Sequence, residues 1–316
     1  MGVYLNDERP KHIAIGNLNL DISVALDSYP EEDSHVFARE AWIGLGGAAT
    51  NYAIATSKLG HRVSLVARAG GDAVKLGLLD RLIQAGVSVE YVSIAPEEPM
   101  GAVIVVLVPS NGTRTMITIR GANELLSSEH IPLDREARIY HLASVKPRII
   151  EELCRKEWWK NGFIVSYDPG GEVYRYPVSV YNSLGCIDIL MVNEKEYRAI
   201  AAAAGTADPL QLLKAGPKII VVKQGERGAL MFTVDEIVKA IIRESPPLPV
   251  DVTGAGDAFD AAFNVWLLEG RGLSEALRAA VSAGMAKVAR RGSANMPSRE
   301  EVEARLQKVA IEGSPL

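Results

Sequence analysis

The sequence predicts an α/β fold: a three-layer α/β/α sandwich with a mostly parallel central sheet, plus a small β-sheet lid. Three observations predict it. Short runs of branched residues, apolar at successive positions, recur along the chain, as expected for strands covered on both faces. In the second half these runs alternate with helical patterns, the rhythm of a layered parallel sheet. Two segments, 18–43 and 99–120, break that rhythm with strand-like patterning and no helix between.

The buried strands are expected at 12–16, 63–67, 102–108, 139–142, 163–167, 187–192 and 219–222. Helices are expected at 48–59, 76–85, 149–160, 195–204, 210–213, 258–268, 274–289 and 299–309. Within 99–120, runs 103–108 and 113–119 flank Pro109-Ser110-Asn111-Gly112, and Asn-Gly is a strong hairpin signal. The expected division is therefore 1–17, 44–98 and 121–316 as a large α/β domain, with 18–43 and 99–120 as a β lid.

A chain of 316 residues with 48% apolar and 23% charged residues can bury a sizeable core, in one large domain or two. Its net charge of −5 and lack of a dense basic tract disfavour nucleic acid as partner. No apolar run is long enough to span a bilayer, and the polar start does not read as a signal peptide. A cytoplasmic protein is expected, with Cys154 and Cys186 reduced, since their spacing suggests neither a CxxC nor a metal site.

The stretch richest in chemistry is Asp251-Val252-Thr253-Gly254-Ala255-Gly256-Asp257, directly before a helical pattern. This places the N–H groups of 254–257 at a helix N-terminus, where unpaired donors and the positive end of the dipole suit a phosphoryl group. Asp257 can accept the proton of an attacking hydroxyl, and the helix end is expected to keep it ionised, a weak base that mainly orients.

These residues resemble the D-T-x-G-A-G-D signature of the ribokinase-like, or PfkB, carbohydrate kinases. The resemblance extends to Gly46-Gly47-Ala48-Ala49-Thr50-Asn51, Gly16-Asn17-Leu18-Asn19-Leu20-Asp21, Asn193-Glu194-Lys195-Glu196 and Gln224-Gly225-Glu226-Arg227-Gly228, in family order over nearly the full length. It implies Asp257 as base and Gly254, Ala255 and Gly256 as anion hole. It implies sugar contacts from Asn19, Asp21, Gly46, Gly47 and Asn51. Asn193 and Glu196 would order the phosphates of ATP and hold Mg²⁺ through water, the mode that ion prefers. The same pair also reads as a capping box. Asp251 would ligate a monovalent cation, usually K⁺, although Asp is also a good helix cap. Gly225 and Gly228 would border the nucleotide; Lys223 could face phosphate or solvent. Gly121-Ala122-Asn123 resembles the segment re-entering the main domain, read as hinge before substrate contact. Pairing of lids into a homodimer is a family habit.

Rival readings are weaker. Gly44-Leu45-Gly46-Gly47-Ala48-Ala49 fits a dinucleotide fingerprint, but the segment before it is no buried strand and Arg68 stands where a ribose-binding acid should. No P-loop occurs. A non-catalytic sugar-binding regulator would be expected to lack the base or the glycines. The acceptor is less legible: the lysine that ribokinases have in the Gly-Gly motif is Ala48 here, and their sugar-contacting glutamate is replaced near Ala143-Ser144. The order of expectation is a pentose or related sugar, then a nucleoside, then a sugar phosphate. Val36, Phe37, Trp42, Met100 and Met116 could cover a nucleobase or form the lid's own contacts.

Overall fold

The computed structural model describes residues 9, 11–108, 113–243 and 249–315; the expected Asn111-Gly112 turn lies outside them. The described strands are β1 Lys11–Gly16, β2 Asn19–Ala25, β3 Glu40–Gly46, β4 Arg62–Gly70, β5 Ser88–Ala95, β6 Gly101–Val108, β7 Thr113–Ile119, β8 Ala137–Ala143, β9 Ile164–Asp168, β10 Ile189–Asn193, β11 Ile219–Lys223, β12 Ala229–Phe232, β13 Glu236–Ile242 and β14 Val309–Pro315. The main sheet has the order β14-β13-β12-β11-β10-β9-β8-β1-β4-β5, parallel from β11 to β5 and antiparallel over β12–β14. A second, four-stranded sheet has the order β3-β2-β6-β7.

The main sheet is covered on both faces because its strands are apolar at consecutive positions. Along β1, Ala14 packs into the core on one face while Ile13 and Ile15 pack into the other. Helices Ala48–Lys58, Ala255–Leu268 and Leu273–Lys287 cover the first face; Pro147–Arg155 and Glu194–Ala204 cover the second. Chain order reverses around β1, which pairs with β4 on one side and β8 on the other. The crevice beyond the carboxyl ends of such strands is where open α/β sheets bind ligands.

Three expectations change. Strand β5 is half-exposed and gives no buried run in the sequence. The helix expected over 299–309 stops at Glu303, and Val309 begins β14, whose register on β13 runs from Val309↔Ile242 to Pro315↔Glu236. The cysteines are not free: Cys154 and Cys186 form a disulfide with Cα atoms 5.8 Å apart. Helix Pro147–Arg155 packs its last turn on the short helix Ser183–Cys186, a proximity that chain spacing does not reveal. Closing a loop of 32 residues is expected to stabilise the fold by about 3–4 kcal/mol. Reduction, or Cys186→Ala, should therefore lower the urea midpoint; equal midpoints for oxidised and reduced protein would count against the cross-link.

Candidate active site

Strands β9, β10 and β11 end side by side at Asp168, Asn193 and Lys223, and Asn193 is in register with Lys223. Helix Ala255–Leu268 begins facing this edge, preceded by Gly254 with φ 81°. A side chain at Gly254 would be strained, and its Cβ would lie 2.3 Å from the Ser293 carbonyl oxygen. Gly254 thus has a backbone reason to be glycine, whereas a Cβ on Gly256 would meet only Lys223 Nζ at 3.5 Å.

Asp257 lies in the helix's first turn, partly exposed, and its Oδ2 accepts from Asn51 Nδ2 at 2.8 Å. Burial raises its pKa to about 7, with Asp168 adding to the rise and Asn51, Lys223 and Lys287 opposing it. The expectation of a fully ionised carboxylate is corrected here: desolvation outweighs the helix dipole. The result is a group able to take up a proton near neutrality.

On β2, Asn19, Asp21 and Ser23 lie on one buried face, as strand alternation requires. Asp21 Oδ2 lies 2.5 Å from the Ser293 hydroxyl, which is also 3.0 Å from the Leu45 carbonyl and can donate to only one at a time. Among the described residues Asp21 Oδ1 is buried without a partner, as is Asn51 Oδ1. Burial raises the Asp21 pKa, Ser293 opposes this, and Asp251 adds to it. A Cβ on Gly46 would lie 2.0 Å from Asp21 Oδ1, so glycine there makes room for the carboxyl. Gly47 immediately precedes helix Ala48–Lys58, which carries Asn51. Asn19 Oδ1 accepts from Asn123 Nδ2 at 2.8 Å, and Asn123 Oδ1 accepts from Leu18 N at 3.0 Å. Asn123 therefore clamps the end of the second sheet to its beginning, in keeping with a hinge.

Asn193 and Glu196 form the capping box of helix Glu194–Ala204, with Asn193 N donating to Glu196 Oε2 at 2.8 Å. Burial and then Asp168 raise the Glu196 pKa to about 7, while Lys223 and the bonds to Asn193 oppose the rise. Neighbouring carboxyls in this state suit a hard cation bound through water, so the donor set fits magnesium carried by a nucleotide.

The surface reading of Lys223 is overturned. Its ammonium donates to Asp168 Oδ2 at 2.6 Å and to both oxygens of Asp260 at 3.0 and 3.1 Å. Burial opposes the charge, but Asp168, Asp260 and Glu196 outweigh it and push the lysine pKa up. Burial also acts on Asp168, yet Lys223 holds that carboxyl below its ordinary value; Asp260, fully buried, is pushed well above it. Lys223, Gly225, Gly228, Gly256, Phe259 and Met285 line a cavity of about 340 Å³ with mainly apolar walls, opening beside the helix N-terminus. A second cavity, about 230 Å³, holds Asp21, Trp42 and Ser293 but not Asp257.

Behind Lys223, Asp168 and Asp260 runs a buried polar chain that sequence reasoning missed. His141 Nε2 lies 4.0 Å from Asp260, and its Nδ1 lies 3.0 Å from Ser166 Oγ, which accepts from Asn264. Asn264 also donates to Tyr52 OH, which bonds His12, and His12 bonds His61. Burial, the leading cause at each, lowers all three histidine pKa values, that of His141 to about 3, so the rings are neutral. This chain locks helix Ala255–Leu268 to the sheet and so fixes the height of Asp257. Its members stand far apart in sequence and carry no motif.

A phosphate-ready helix terminus, a protonatable carboxyl and an apolar cavity beside a cation-ordering edge define a small-molecule phosphotransferase. The pfkB family carbohydrate kinase profile matches residues 10–300, and the chain belongs to that family. It is 32% identical to a ribokinase of Arabidopsis thaliana over 93% of this chain and 80% of that protein. It is 30% identical to a nucleoside kinase of Methanothermobacter thermautotrophicus, covering 83% of this chain and 84% of the other. The structure of Arabidopsis thaliana ribokinase complexed with ribose and ATP superposes with TM-score 0.77, at 29% identity, over 95% and 99% of the two chains. A Methanocaldococcus jannaschii nucleoside kinase shares the fold, with TM-score 0.85 at 22% identity over 94% and 98%.

Proposed function

We propose that the protein transfers the γ-phosphoryl group of ATP to a hydroxyl of a pentose or pentose-bearing acceptor. The observation that carries the acceptor class is two buried oxygens without a partner among the described residues, Asp21 Oδ1 and the Oδ1 of Asn51, whose amide nitrogen holds the Asp257 carboxyl. Buried acceptors call for donors, and adjacent sugar hydroxyls supply them. The resemblance to ribokinase and nucleoside kinases supports the same class. A coupled ADP-release assay across pentoses, nucleosides and sugar phosphates tests it. Turnover of ribose or a nucleoside is expected; silence from folded protein on every acceptor would defeat the reading.

In this reading Asn51 aims Asp257, which receives the hydroxyl proton, and the 254–256 amides take up the charge of the transferred group. The cavity at Phe259 and Met285 accepts the base of the nucleotide, and Gly225 and Gly228 border it. Asn193 and Glu196 hold Mg²⁺, which neutralises phosphate charge when bound with ATP. The family resemblance implies one further positive charge beside Asp251, a monovalent cation. The four-stranded sheet acts as the lid, closing over the acceptor to exclude water. Exposed Ile43, Ile117 and Ile119 share the face turned away from Asp21 and offer the apolar surface through which two copies would pair, a state sedimentation velocity reads directly.

The raised Asp257 pKa gives a pH prediction. The base works only when ionised, so kcat/KM should fall with unit slope below about pH 7. Glu196 titrates in the same range, and Glu196→Gln should leave the acid limb in place. A profile flat down to about pH 5 would contradict the raised Asp257 pKa.

A further inference from the structure

Lys287, in the last turn of helix Leu273–Lys287, is fully buried at 0% exposure. Its single hydrogen bond among the described residues is a long one, from Nζ to the Arg290 carbonyl oxygen at 3.4 Å, and no carboxylate lies within ion-pair distance. An ammonium buried on such terms costs several kcal/mol (of order 3–5) unless its charge is needed nearby. The turn it reaches into, 288–292, grips Asp251. Val250 N and Asp251 N both donate to the Val288 carbonyl, at 2.8 and 3.2 Å, and Gly292 N donates to Asp251 Oδ2 at 2.9 Å. Asp251 Oδ1 in turn accepts from Thr253 N at 2.9 Å, tying the carboxylate to the start of the anion-hole loop. The positive charge of Lys287 acts on Asp251 and on Asp257, although burial, the larger influence, lowers its own pKa.

A free monovalent cation at this place would need oxygen ligands from the same turn. Here one of the turn's carbonyls already accepts an ammonium, and both oxygens of Asp251 already accept N–H bonds. The donor set does not fit a separate potassium ion well. We propose that Lys287 is a tethered monovalent cation, a positioning residue that holds the Asp251 loop and the anion hole in place, so that the enzyme needs no added potassium. The proposal rests on the phosphotransferase reading, and it replaces the ion that the sequence leads one to expect.

The test compares wild type, Lys287→Ala and Lys287→Arg in choline chloride and in potassium chloride at equal ionic strength. One readout is phosphoryl transfer; the other is the melting temperature of the substrate-free protein. Wild type and Lys287→Arg should be alike in both salts on both readouts. Lys287→Ala should be slower by about 10²-fold in choline, the scale of a lost anion-hole interaction, and should regain most of that rate in potassium. Its melting temperature should rise with potassium and not with choline, because an ion that binds only the folded state stabilises it. A wild type that gains rate or melting temperature specifically from potassium overturns the proposal. So does a Lys287→Ala enzyme that is fast in choline, or one slowed equally in both salts. If that variant does not fold, the wild-type arm decides. If no acceptor is phosphorylated, the melting arm decides alone, so failure of the kinase reading is told apart from failure of this one.

Discussion

Replacing Asp257 with asparagine should lower kcat by about 10³-fold while ATP affinity and the melting temperature stay near wild type. The substitution keeps the shape of the side chain and a hydrogen-bonding partner for Asn51 Nδ2, so little of the fold depends on it. What it removes is the acceptor for the hydroxyl proton. It also removes a carboxyl that burial makes costly to ionise, and a small gain in stability above pH 7 would agree with that. The sign is fixed by linkage. A folded-state pKa raised from 3.8 to about 7 means that the native protein binds the proton more tightly, so ionised Asp257 weakens the fold as pH rises through that interval. Single-turnover transfer from ATP, with titration of nucleotide binding, separates the two effects. Turnover within ten-fold of wild type (under about 1.4 kcal/mol of lost transition-state stabilisation) would remove Asp257 from the reaction. Lost nucleotide binding would mean that the carboxyl shapes the anion hole instead.

The sequence makes the near neighbours legible and hides the distant ones. The run from Asp251 to Asp257 declares itself because glycines, helix start and carboxyl act within seven consecutive residues. The layered sheet is legible because strands buried on both faces leave uninterrupted apolar runs such as 189–192. Ser293 is different: it meets Asp21 across 272 positions, in a turn with no composition signal. Asp168 and Asp260 are single aspartates whose meaning comes only from the lysine between them in space. Lys287 reads as one more basic residue near a helix end until its burial is known. The base strength of Asp257 is illegible for a related reason. The helix dipole can be inferred from local sequence, whereas the desolvation that outweighs it depends on the packed site.

Lys223→Met should be the most damaging single change to stability, at about 3–5 kcal/mol. Among the described residues the lysine is the one cation bonded to both Asp168 and Asp260, and Asp260 has no exposure to water. With the ammonium gone, two carboxyls share a buried site without a counter-charge, and water cannot take its place. Each then ionises less readily in the folded chain than in the unfolded one. The native state therefore holds more protons, and the variant's deficit should shrink as pH falls toward the ordinary carboxyl range and widen above it. Wild type should show a smaller recovery from this site, since burial already pushes Asp260 above its ordinary value while Lys223 holds Asp168 below its own. The second substitution that separates charge from shape is Asp260→Asn. In the Lys223→Met background it removes one of the stranded carboxyls, so the double variant should be more stable than Lys223→Met alone. Urea unfolding of the four proteins of this cycle, at two pH values, reads all of these terms. Additive losses with no dependence on pH would show that Lys223 packs there as an aliphatic stem and that its charge is idle.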